Sequence, residues 1–273
     1  MTNKIYITYP EGKAKALTMS YDDGKQEDIR LIDIFDANGI KGTFNLNYGL
    51  MDNQLYVDGH PRVEKEDVRE TYKNHEVATH CYTHPTIERC PLTEVAFEIM
   101  EDRKGLESLV GKPVRGHAYP NGSYSQEIKT LFRQLGIAYA RTVNSVPGFG
   151  LPSDPLEWNP TAHHRDPELM NKAEYFVNFK KKQYLKLMYI WGHSYEFAMQ
   201  NNWEVIEKFC EYMGHKDDIW YCTNIQFIDY MDAAKRLQFA ADNSFVYNPS
   251  AMTVCLDVNG NYVEVGAGEL KTL

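Results

Sequence analysis

The sequence predicts an α/β protein: a (β/α) barrel of about seven strands with a short C-terminal β-hairpin extension. Three observations carry that prediction. Short β-type runs alternate with segments of helical period along the chain. The strongest polar motifs stand just after the first, third, fourth and sixth of those runs, and strand ends are where α/β enzymes keep their chemistry. A length of 273 residues suits one large domain with a small appendage. The expected division is a catalytic barrel over residues 1–240 and a β extension over 241–273.

Taken in order, the first strand is expected at Ala14–Ser20, on the apolar run Ala16-Leu17-Thr18-Met19. It delivers Ser20-Tyr21-Asp22-Asp23-Gly24 to a turn at Gly24. Ile29, Ile32 and Phe35 then recur at helical spacing, and Asn38-Gly39 is a left-handed helix stop. Gly42–Leu46 is the second strand and completes a βαβ unit. Glu76–Thr79 is the third, and His80-Cys81-Tyr82-Thr83-His84 follows it on a loop. The next helix is expected to be capped by Thr93, with Val95, Ile99, Leu106 and Leu109 on one face and a stop at Gly111.

Val114–Ala118 and Ile137–Thr142 are the fourth and fifth strands, on either side of a helix running from Ser125 to Gly136. Residues from Ser145 to Asp166 are rich in Gly and Pro and lack periodicity, so a long loop over the barrel mouth is expected there. Leu185–Trp191 and Ile219–Cys222 complete the strands. Val254–Val258, Asn259-Gly260 and Tyr262–Val265 spell a hairpin on a type I′ turn.

Composition narrows the function. A net charge of −9 argues against nucleic acid, which is bound through clustered Lys and Arg, and Lys180-Lys181-Lys182 reads as a solvated turn. No apolar run approaches the roughly 20 residues of a membrane span. Cys81, Cys90, Cys210, Cys222 and Cys255 show no paired spacing, which argues against a disulfide framework. The start, Met1-Thr2-Asn3-Lys4, lacks a secretory pattern, so the expected location is the cytoplasm, a secreted form with its signal removed being the alternative. Nineteen Tyr and four Trp lend modest support to a sugar ligand, because aromatic rings stack on sugar faces.

The chemistry centres on the Asp22-Asp23 pair and on His80 and His84. Two imidazoles and one carboxylate suit a catalytic zinc-type site that leaves a place for water, so Asp23, His80 and His84 are the expected ligands. Such an ion lowers the pKa of a bound water toward neutrality, and Asp22, next door, is placed to take the proton.

Four motifs in order, Tyr21-Asp22-Asp23-Gly24, His80 to His84, Ala118-Tyr119-Pro120-Asn121-Gly122 and Leu187-Met188-Tyr189-Ile190-Trp191-Gly192-His193, resemble the series of the polysaccharide deacetylases, carbohydrate esterase family 4 with the NodB homology domain. The resemblance spans about residues 15 to 230. It implies a deformed (β/α) barrel that removes acetyl groups from a sugar, most often N-acetylglucosamine units, with one divalent metal. Zinc is the expected ion, with cobalt, manganese or nickel as substitutes. It further implies Asp22 as general base, Asp23, His80 and His84 as metal ligands and His193 as general acid, with oxyanion or substrate contacts near Tyr119 and Asn121.

Departures accompany the match. Ser20-Tyr21 stands where the family has Thr-Phe, and Ala118 falls where the family has an Arg that holds the base; Arg115, three residues earlier, either substitutes for it or leaves the contact unmade. Trp158 is either a sugar platform or a hydrophobic plug, and His163, His164 and Asp166 either line the mouth or hold a second metal. Cys81 is expected to point into the barrel. Two other functions are open: hydrolysis of a small non-sugar or cyclic amide, as in allantoinase-like members, and carbohydrate binding by a barrel without activity.

Overall fold

Burial on both faces sets the architecture of the computed structural model, which describes residues 3–52 and 59–273. The chain begins with β1 (Ile5–Thr8) and β2 (Lys15–Asp22), and all eight residues of β2 are buried. Successive side chains of a strand point to opposite faces, and here Leu17, Met19 and Tyr21 enter the main hydrophobic core while Thr18, Ser20 and Asp22 are buried polar residues on the other face. There follow α1 (Glu27–Ala37), β3 (Gly42–Leu46), α2 (Val68–Thr71), β4 (Glu76–Thr79), α3 (Leu92–Val110), β5 (Gly116–Ala118), α4 (Gln126–Gln134) and β6 (Tyr139–Arg141). The second half runs β7 (Ala162–His163), α5 (Leu169–Asn178), β8 (Lys186–Gly192), α6 (Tyr195–Gln200), α7 (Glu204–Met213), β9 (Ile219–Tyr221) and α8 (Asn224–Lys235). It ends in β10 (Gln238–Phe239), β11 (Phe245–Tyr247), β12 (Val254–Val258), β13 (Asn261–Val265) and β14 (Leu270–Thr272).

The main sheet is parallel, in the order β6-β5-β4-β3-β2-β8-β7, and it curls into a deformed (β/α) barrel. Its centre is β2. Along one edge β2 pairs with β8 from Lys15↔Lys186 to Tyr21↔Gly192. Along the other, Lys15 to Leu17 pair with β9 and Met19 to Asp22 pair with β3.

Two expectations are corrected. The stretch from Ser145 to Asp166 is not a lid: Trp158 makes a parallel bridge to Arg141 and β7 pairs with β8, so this segment forms the wall between the two edges of the sheet. Its strand is two residues long, too short to leave a period in the sequence. Thr93 does not cap α3, which starts at Leu92 after Pro91. The stop at Gly111 is present with φ +70°, and Ser125 caps α4 by accepting from the Ile128 N–H.

The C-terminal hairpin has φ +56° at Asn259 and +89° at Gly260, as a type I′ turn requires. β12 also pairs antiparallel with β1, joining the start of the chain to this small sheet. A core of Tyr9, Trp158, Phe227, Val254 and Leu256 ties the sheet to the barrel beneath. All five cysteines are free, and among the described residues no helix is long and apolar enough to cross a membrane.

Candidate active site

Parallel strands point their C-terminal ends to one face, and the polar motifs meet there. Asp22 is the last residue of β2, and Asp23 takes the turn. Gly24 follows with φ +60°, and a Cβ there would lie 2.7 Å from Leu46, so this turn needs glycine. His80 comes directly after β4, Arg141 ends β6, and His193 follows β8.

Asp23, His80 and His84 offer ligand atoms that all lie within 4.8 Å of one another. His80 Nε2 and His84 Nε2 are each 3.9 Å from Asp23 Oδ1. Donors about 2.1 Å from a tetrahedral ion sit about 3.4 Å apart, so a small contraction closes this set on zinc. The tautomer of His80 agrees. Its Nδ1 lies 2.8 Å from the Ala118 carbonyl, which can only accept, so Nδ1 carries the hydrogen and Nε2 presents a lone pair to the site. The residues present therefore fit a divalent metal. Asp23, Cys81 and His84 all hold left-handed backbone, at φ +79°, +64° and +61°. Each such residue costs on the order of 1–3 kcal/mol, and strain of this kind concentrates where ligands must be aimed.

Asp22 lies beside the ligand set. Its carboxylate accepts from Asn45 Nδ2 at 2.8 Å and from the guanidinium of Arg141, and His80 Nε2 and His193 Nε2 each stand 3.9 Å away. Burial pushes this carboxyl up, but Arg141, His80 and His193 more than offset it and hold it at about 2, so Asp22 is ionised. Arg141, fully buried, also lies over the Trp191 ring.

On the far side of His193, the Glu196 carboxylate gathers four cationic or titratable groups. His193 Nδ1 is 3.6 Å away, His163 Nε2 3.3 Å, His164 Nε2 3.0 Å and the Arg165 guanidinium 3.4 Å. Burial lowers His193, yet Glu196 and Asp22 outweigh it and raise its pKa overall. Burial pushes Glu196 up, and its bonds to His164 and His193 reverse that and hold it low. His163, His193 and Glu196 also converge within 4.8 Å. However, His163 Nδ1 accepts from the Arg165 N–H at 3.1 Å, which leaves Nε2 protonated and turned to Glu196. The three imidazoles thus gather around one carboxylate as an ion-paired cluster.

Other expected site residues lie elsewhere or serve other ends. Arg115 pairs with Asp229 at 2.5 Å, at the start of β5 and so at the opposite end of the barrel. Arg141 occupies the role expected of it. Trp158 is buried against Tyr139, Tyr189 and Phe227 and is a plug, not a platform. Tyr119 is buried, its hydroxyl donates to Leu156 O at 2.8 Å, and its N–H is donated to Arg141 O. Asn121 is exposed on the turn after β5, with its amide on Thr86 Oγ1. Asp166 pairs with Lys172, and Cys81 points into the apolar core under α3 and α4.

Sequence reasoning missed Arg141 and Asn45. Arg141 lies one residue before the end of the expected strand Ile137–Thr142, and that position is its one available signal.

Comparison with known proteins places residues 9–140 under the family model for polysaccharide deacetylase. A chitooligosaccharide deacetylase of Azorhizobium caulinodans is 24% identical over 136 residues, 50% of this chain and 56% of that protein. The chain thus matches little more than half the length of that curated relative. A solved structure from Mycobacterium smegmatis assigned to the polysaccharide deacetylases superposes with a TM-score of 0.62 at 16% identity, over 84% of this chain and 94% of that one. A carbohydrate esterase 4 family pseudoenzyme of Bacillus anthracis gives 0.50 at 16%, over 82% and 68%. At such identities the two structures speak for the fold alone.

Proposed function

Since the chain belongs to the polysaccharide deacetylase family, carbohydrate esterase family 4, we propose that it is a metal-dependent hydrolase that removes acetyl groups from an acetylated carbohydrate. N-acetyl sugars or their oligomers are the favoured substrates. One observation carries the reading: Asp22, held by Asn45 and Arg141, and His193, with Nδ1 toward Glu196, flank the Asp23–His80–His84 set.

A divalent ion held by Asp23, His80 and His84, zinc by preference and cobalt, manganese or nickel as substitutes, would supply a water nucleophile near neutral pH and a Lewis acid for the acetyl oxygen. Asp22 takes the proton lost by the attacking water, while Asn45 on Oδ1 and Arg141 on Oδ2 fix the carboxylate's orientation. His193 keeps Nδ1 toward Glu196 and turns Nε2 to the site, from where it donates to the departing nitrogen or oxygen. Asn121, on an exposed turn where the Gly122 and Ser123 N–H groups are already donated, is the residue we assign to the substrate.

The test is acetate release from N-acetyl and O-acetyl sugars by chelated protein and by protein restored with each metal. Asp23→Ala is expected to lose the metal, and Asp22→Asn to keep it while turnover collapses. Bound metal without release from any acetylated sugar would overturn the reading in favour of a cyclic-amide hydrolase or a barrel that only binds carbohydrate.

A further inference from the structure

Two acids of α3, one helical turn apart, are buried and take no part in the chemistry described: Glu98 and Asp102. Neither forms an ion pair with Lys, Arg or His among the described residues, although a buried carboxylate without a counter-charge is costly. Glu98 spends both carboxylate oxygens on the ligand-bearing loop and Asp102 spends one. Asp102 accepts from the His80 N–H at 3.0 Å, a hydrogen shared with the Leu46 carbonyl at 2.9 Å, and from the Tyr48 N–H at 2.6 Å. Glu98 accepts from the Thr83 N–H at 2.7 Å and the Thr83 hydroxyl at 2.6 Å, and its own carbonyl accepts from the Tyr82 N–H at 3.1 Å. Asn47 closes the loop from the other side, its amide donating to Cys81 O at 2.8 Å.

The clamp grips the backbone where the conformation is least natural. His80 is held by Asp102, left-handed Cys81 by Asn47, and Thr83, next to left-handed His84, by Glu98. An unclamped loop of five ordinary L-residues would leave φ near +60° at two of them and take both imidazoles with it. We infer that Glu98 and Asp102 are positioning residues that hold His80 and His84 in metal-binding geometry before any metal arrives. The inference rests on Asp23, His80 and His84 being the metal set.

The test measures zinc affinity by competition with a chromophoric chelator, and the melting temperature of the metal-free protein, for wild type and variants. Glu98→Leu fills the same space and accepts nothing, and its zinc dissociation constant is expected to rise about 10- to 100-fold. Glu98→Gln retains an oxygen for the Thr83 N–H and should restore most of the affinity. Asp102→Asn turns an amide hydrogen toward one of two N–H donors and should weaken zinc binding about 10-fold. Should Asp102→Asn fail to fold, Thr83→Val, which removes only the hydroxyl bond, is expected to weaken binding several-fold in a protein with a wild-type melting temperature. Melting temperatures that fall while every variant binds zinc within twofold of wild type would reduce the two acids to structural groups. A wild type that binds no zinc would instead overturn the metal reading itself, and with it this one.

Discussion

Arg141, at the end of β6, places its guanidinium on the carboxylate of Asp22, at the end of β2, and both side chains are shut off from solvent. The pair spans the barrel mouth, because β6 is an edge strand of the main sheet and β2 is its centre. A buried carboxylate next to two imidazoles keeps one orientation only if something rigid holds it, and a planar guanidinium stacked on Trp191 does so.

Arg141→Met should therefore disable turnover without removing the metal ligands. We expect kcat to fall about 100-fold or more, as for a misplaced general base, with metal content per chain unchanged. Metal analysis and steady-state kinetics on one preparation decide it. Equal losses of metal and activity would show that Arg141 only maintains the fold.

Glu196 should extend the working range of His193 toward alkaline pH. In the acid role proposed for it His193 must be protonated, so activity is expected to fall as pH rises through its pKa, which Glu196 holds up. Glu196→Gln should shift the alkaline limb of the kcat/KM profile to lower pH and leave the acid limb in place. An unmoved limb would remove His193 from the acid role or Glu196 from its support.

Trp158 should matter to stability and not to sugar affinity. It is 1% exposed, between Tyr139, Tyr189 and Phe227. Trp158→Ala is expected to cost about 3–5 kcal/mol in urea unfolding, and Trp158→Phe considerably less. KM at a temperature where both variants remain folded should match wild type; a large rise in KM would return Trp158 to the substrate.

Stability should also carry the mark of Asp28. Burial pushes this carboxyl from 3.8 up to about 7, against the pull of its bonds to Ser194 and Tyr72. The folded protein keeps the proton that the unfolded chain releases, so stability is fullest below about pH 4 on this account and declines until pH passes 7. In metal-free protein, Asp28→Asn should flatten that decline and gain on the order of 3 kcal/mol at pH 8. Unfolding curves across pH 4 to 8 test the slope.

The barrel was legible in the sequence because short β-type runs alternate with segments of helical period. Gly42–Leu46 and Glu76–Thr79 fall where the apolar runs place them. Asp22, Asp23, His80, His84 and His193 converge because each follows a strand of one parallel sheet. What escaped was set by partners distant in sequence. β7 exists only through pairing with β8, and β1 through pairing with β12. Arg141 differs from other surface-type charges only in what it meets after folding, and Arg115, nearer the motif, is taken up by Asp229 of α8.

The divided edge of β2 has a consequence for biosynthesis. Asp22 sits on a strand that is complete only when β3, β8 and β9 have all been laid beside it. A chain leaving the ribosome exposes β2 and β3 early, but β8 and β9 come from its last third. Until those segments emerge, the apolar run of β2 has open hydrogen-bonding edges, and such edges invite pairing with other chains. The residue proposed to abstract the proton is thus among the last to be enclosed, and arrested nascent chains that stop before Lys186 should need a holding chaperone to stay in solution.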